Sequence, residues 1–107
     1  MIIELTTDGA AVVAADDCTR LHVATGLAPD EVDAALRRSG IGSLDAGGRA
    51  VLDLDVLHDR AAAAATTRDW GERWQAMVDY ARAEGWVSAD DRFVRAHVES
   101  TAPATRR

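Results

Sequence analysis

A small α+β domain, an antiparallel sheet packed against about three helices, is the fold class that three features of the sequence predict. Short β-branched runs crowd the first 25 residues and return near the end. Two stretches with apolar residues at helical spacing, 29–39 and 69–84, are bounded by start and stop residues. At 107 residues the chain has room for one core, which buries roughly two thirds of the surface an unfolded chain exposes.

Taken in order, Ile2 to Thr6 and Ala10 to Ala15 are apolar runs separated by Asp8-Gly9, a hairpin signal because both central residues of a type I′ turn need positive φ. Asp16-Asp17 marks a second reversal. From Thr19 to Thr25 the residues alternate, with Leu21 and Val23 on one face and Arg20, His22 and Ala24 on the other. The expectation is a three-stranded antiparallel meander.

Pro29 suits the first position of a helix, Asp30 and Glu31 favour its positive end, and Gly40 suits a left-handed stop. The IGSLDAGG segment then reads as a loop or turn between short extended pieces. A strand is expected near 49–53 and a helix near 55–66, with Asp53 or Asp55 as the cap.

In the next helix Asp69 can cap and Glu72 can reach back to it. Trp70, Trp74, Met77 and Ala81 fall on one stripe at about 100° per residue, flanked by Val78 and Tyr80. Gly85 supplies the stop, and Trp86 is placed to fold back on Ala81. Residues 86–98 read as a C-terminal hairpin with Val94, Ala96 and Val98 facing inward; the rival is a helix starting at Ser88. The domain is expected to occupy 1–99, followed by a disordered tail over 100–107.

Composition narrows the function classes. The single cysteine, Cys18, cannot make an intrachain disulfide, which suits a reducing, cytoplasmic setting. No apolar stretch approaches the length of a membrane span. Every basic residue is arginine, and with no lysine or asparagine and much alanine this points to a GC-rich, actinobacterium-like genome. The net charge of −6 is uneven: residues 1–59 hold eleven acids against four arginines, and 60–107 seven against eight. Phosphate binding calls for a basic face, so nucleic acid is an unexpected partner.

The candidate binding residues are Trp70, Trp74, Met77, Trp86 and His97, an aromatic stripe able to form a core, a pocket wall or a contact surface. His58-Asp59 resembles the dipeptide of the HD-domain phosphohydrolases, where it shares a metal with a further histidine and aspartate. The resemblance covers two residues, and the expectation is no metal and no cofactor. Cys18 and His22 have neither the ligand number of a zinc site nor a spacing diagnostic of a nucleophile and its base. Gly40-Ile41-Gly42 lacks the third glycine and the preceding strand of a dinucleotide fingerprint.

The helix and hairpin from Met77 to Val98 resemble the recognition helix and wing of winged-helix domains, which would make Arg73, Arg92 and Arg95 the DNA contacts. The leading expectation is a non-catalytic interaction or accessory protein, homo-oligomeric or with a protein partner, using the aromatic helix or a sheet edge. The alternative is a small enzyme or ligand-binding domain with a tryptophan-lined pocket and a histidine acid or base. DNA binding stands third.

Overall fold

The computed structural model describes residues 1–19 and 21–100. Nine elements follow one another: β1 (Ile2–Thr6), β2 (Gly9–Val13), β3 (His22–Thr25), α1 (Pro29–Ser39), β4 (Gly42–Leu44), β5 (Ala50–Asp53), α2 (Leu54–Ala64), α3 (Trp70–Ala83) and β6 (Phe93–Ser100). The strands form one curled sheet in the order β2-β1-β3-β6-β5-β4.

That sheet is mixed, which corrects the expected antiparallel meander. β1 and β2 form the predicted hairpin, but β3 lies parallel to β1 on its other side and parallel to β6. The connection after β2 turns at Ala14, whose φ is +51°, and carries the chain past β1 instead of back beside β2. Alternation in Thr19–Thr25 fixes which side chains are buried, Val23 and Thr25, and is silent on strand direction. The first turn also sits one residue early. Thr6 pairs with Gly9, leaving Thr7 and Asp8 at the tip, and only Gly9 takes positive φ there, +142°.

The inner face of the sheet carries Ile3, Leu5, Val23, Leu52, Val94 and Ala96, all buried. α1 packs against both terminal strands, β2 and β4, so the sheet curls around it. Its ends are as predicted. Pro29 opens the helix, Glu31 accepts a hydrogen bond from the Ala28 backbone N–H at 3.2 Å, and Gly40 takes φ +77°. Asp53 caps α2 by accepting from the Asp55 and Val56 N–H groups at 3.0 and 3.1 Å.

At α3 the expected capping box does not form. Asp69 holds the N-cap position without a side-chain cap bond, and its carboxylate turns instead to Arg73 Nε at 3.1 Å, one turn on. The C-terminal end behaves as predicted: Gly85 has φ +80°, and the Trp86 N–H returns to the Ala81 carbonyl at 2.9 Å.

The C-terminal hairpin also forms, in place of its helical rival. Val87 bridges Val94, Ser88 N–H donates to Phe93 O, and Asp91 supplies the positive φ of the turn, +59°. Ser100, the first residue of the tail expected over 100–107, closes β6, and the rest of that tail, 101–107, lies outside the described residues.

Candidate functional site

The structure divides the predicted aromatic stripe into two groups with different surroundings. Trp70 and Trp74, one helical turn apart, are 7% and 8% exposed, with ring centroids 5.6 Å apart. His58 of α2 stands against both rings, at 5.3 and 5.2 Å. Trp70 also donates its indole N–H to the Ala15 carbonyl at 2.7 Å. This group belongs to the core, and its one strong polar bond is spent on holding α3 to the connection after β2.

Met77, Trp86 and His97 come together elsewhere, lining a cleft of about 360 Å³ between the C-terminal half of α3 and β6. The course of β6 explains why a cleft exists there. Its last residues, from His97 on, pair with β3, which begins at His22. Its first residues are flanked on that same side by the segment leaving α3: Val87 bridges Val94, and Arg95 N–H donates to Trp86 O at 2.9 Å. Near Ala96 the backbone partner of β6 changes from one segment to the other. The cleft lies at this change, with Leu21 and Trp86 contributed by the two segments and Ala96 by β6 itself.

Val78, Ala81 and Val94 line the cleft from the core side. Tyr80, 62% exposed, stands beside it with its ring edge-on to Trp86 at 5.9 Å. Arg49 and Arg95 complete the lining with His97. Arg49 precedes Ala50, whose partner on β6 is Ala96, so the β5–β6 register brings it level with His97. Arg95 donates from Nη2 to the Gly85 carbonyl at 3.1 Å, beside the α3 exit.

A second hollow of about 430 Å³ adjoins the first through Thr19, Met77 and Tyr80. Its other walls include Asp16, Asp17, Cys18 and Arg73. Burial pushes the Cys18 thiol above the usual range, and Cys18 Sγ faces the Ala15 carbonyl at 3.8 Å. A raised thiol is a poor nucleophile, which places Cys18 with structural cysteines.

The remaining sequence candidates resolve locally. His58 Nδ1 lies 3.6 Å from Asp59, and among the described residues no group of three or more His, Cys, Asp or Glu side chains converges as a metal site would require. His22 Nε2 is 3.9 Å from Glu99 on the opposite face of the sheet from Val23. The Gly42 segment forms a strand: a Cβ at Gly42 would stand 2.1 Å from the Val51 carbonyl oxygen. On the wing-like hairpin, Arg92 stacks over Phe93 at 5.5 Å. Arg82 of α3 is held between Asp79 and Asp91 at 3.0 and 3.2 Å.

Leu21, Arg49, Tyr80 and Arg95 are lining residues outside the predicted binding set. Tyr80 was within reach of the sequence, because it lies three residues after Met77 on the same helix. Arg49 depends on the pairing of β5 with β6, which no local pattern specifies.

Fold and site together define a small α+β protein with a half-open, largely apolar cleft at a seam in its sheet. No family model matches the chain, and no curated protein or solved structure matches it either. No helix among the described residues is long and apolar enough to cross a membrane.

Proposed function

We propose that this protein is a small non-catalytic binding domain whose cleft between α3 and β6 receives a small ligand with an apolar body. The observation that carries the reading is the meeting of Met77 of α3, Trp86 of its exit and His97 of β6 around one cavity of about 360 Å³. That volume falls at the lower end of the roughly 300–1,000 Å³ typical of ligand pockets, which suits a ligand of fragment size. The driving force would be burial of apolar surface against Leu21, Met77 and Trp86, at about 25 cal/mol per Å². Binding is favoured over catalysis because the His97 side chain has no hydrogen-bond partner among the described residues to orient it as an acid or base. A cytoplasmic setting belongs to the same reading, supported by a single free and buried cysteine.

The test is a titration with 4-phenylbutan-1-ol, a neutral probe, followed by calorimetry and tryptophan fluorescence. Saturable binding is expected to the native chain and to be lost in Ala81→Leu, which fills the cleft from α3. Absence of saturable binding to the native chain, or equal binding to the filled variant, would rule the cleft out.

One observation favours a second reading, contact with another protein chain through a sheet edge. β4, at one end of the sheet, has only three residues, and its Leu44 N–H is covered by Asp33 Oδ1 at 2.8 Å. β2, at the other end, runs Gly9 to Val13 with neither a charge nor a proline, the devices that normally blunt an edge. Light scattering showing a strict monomer at high concentration would remove this reading.

A further inference from the structure

The charge on the cleft lining runs against the charge of the molecule. The chain carries 18 acids and 12 arginines, for a net −6, yet among the described residues the lining includes Arg49, Arg95 and His97 and no carboxylate. The adjoining hollow shows what the rest of the surface would predict: among the described residues its lining holds Asp16 and Asp17 with Arg73. Among the described residues, three of the other arginines are neutralised. Arg37, Arg73 and Arg82 are paired with carboxylates. The Arg49 backbone N–H donates to Asp45 Oδ1 at 2.9 Å, but its guanidinium makes no ion pair among the described residues, and Arg95 spends one nitrogen on a backbone carbonyl, which leaves its positive charge uncompensated. An acidic chain that collects unneutralised arginine beside an apolar cavity provides for a negative group brought from outside. Guanidinium groups match the two oxygens of a carboxylate in a way that a point charge does not.

We infer that the ligand of this cleft is an amphipathic monocarboxylate, its apolar body against Met77 and Trp86 and its carboxylate held by Arg49 and Arg95. This inference rests on the cleft being a ligand site, and the experiment separates the two claims. Three probes share one carbon skeleton: 4-phenylbutyrate, 4-phenylbutan-1-ol and 4-phenylbutylamine. Each is titrated into the full chain at low and at high ionic strength.

Phenylbutyrate is expected to bind at least tenfold more tightly than the alcohol, with the amine weakest. Its advantage should shrink in high salt, as a charge contact at a half-open site requires. Arg49→Gln should bring phenylbutyrate to within about threefold of the alcohol. Arg95→Gln should act in the same direction, and unchanged thermal melting of the Arg49 variant would show that the fold is intact. Equal affinity for acid and alcohol, or an Arg49→Gln variant that keeps the full preference, would overturn the carboxylate inference and leave the cleft standing. Failure of all three probes to bind would overturn both.

Discussion

Trp70 of α3 donates its indole N–H to the carbonyl of Ala15, 55 residues earlier in the chain, at 2.7 Å. Both residues are buried, and the weak thiol of Cys18 faces the same carbonyl at 3.8 Å. The bond ties the helix that forms one wall of the cleft to the connection that delivers β3 to the other.

Replacing Trp70 by Phe keeps an aromatic ring and removes the donor, leaving a buried carbonyl short of a partner. The expected cost is about 1–3 kcal/mol, read as a melting temperature lower by roughly 4–8 °C per kcal/mol for a domain of this size. Trp74→Phe should cost less, since the Trp74 ring contributes packing against His58 and Trp70 without a comparable bond among the described residues. Equal losses at the two positions, measured by thermal denaturation, would contradict this division of roles.

The same connection is pinned a second time by Asp16. Its Oδ1 accepts from the Thr66 and Thr67 N–H groups, both at 2.9 Å, and its Oδ2 from the Thr66 hydroxyl at 2.7 Å. These bonds hold the Asp16 carboxyl far below its ordinary value. A carboxylate depressed in the folded state adds stability above its unfolded value, near 3.9, and loses it as pH falls toward the folded value. Asp16→Ala should therefore melt earlier than the native chain at neutral pH. The gap should narrow steadily once pH drops below about 4. A gap that is constant from pH 7 to pH 3 would show that the carboxylate is not what holds the linker.

Two glycines should respond in opposite directions. Gly42→Ala drives a methyl into the Val51 carbonyl, where backbone on both sides limits relaxation. A loss at the upper end of the roughly 1–3 kcal/mol seen for overpacking is expected. Gly71 lies in the first turn of α3 with open space around it, and alanine there should gain up to about 1 kcal/mol. Denaturant midpoints of the two variants check both signs.

Much of the local structure was legible because it is written in single residues. Pro29 and Gly40 bound α1, Gly85 ends α3 and returns Trp86 to Ala81, and alternation along β6 buries Val94 and Ala96. What alternation cannot encode is direction and neighbour. The parallel placement of β3 follows from the path of residues 14–19, where nothing in Asp16-Asp17 distinguishes a return beside β2 from a passage beyond β1.

The geometry of the candidate cleft was half legible for the same reason. Helical spacing grouped Trp70, Trp74 and Met77, but β6 changes backbone partner near Ala96, and this places Met77 and Trp86 on a cleft while Trp70 and Trp74 join the core. The approach of Arg49 to His97 needs a strand register, which is a property of the whole sheet.

The most direct test of the central claim is a two-dimensional NMR titration of the native chain with 4-phenylbutyrate. Saturable shifts are predicted at Leu21, Met77, Trp86 and His97, and at the Trp86 indole N–H, with those of Trp70 and Trp74 unmoved. Shifts centred on Trp70, Trp74 and His58, or the absence of any saturable shift, would contradict it.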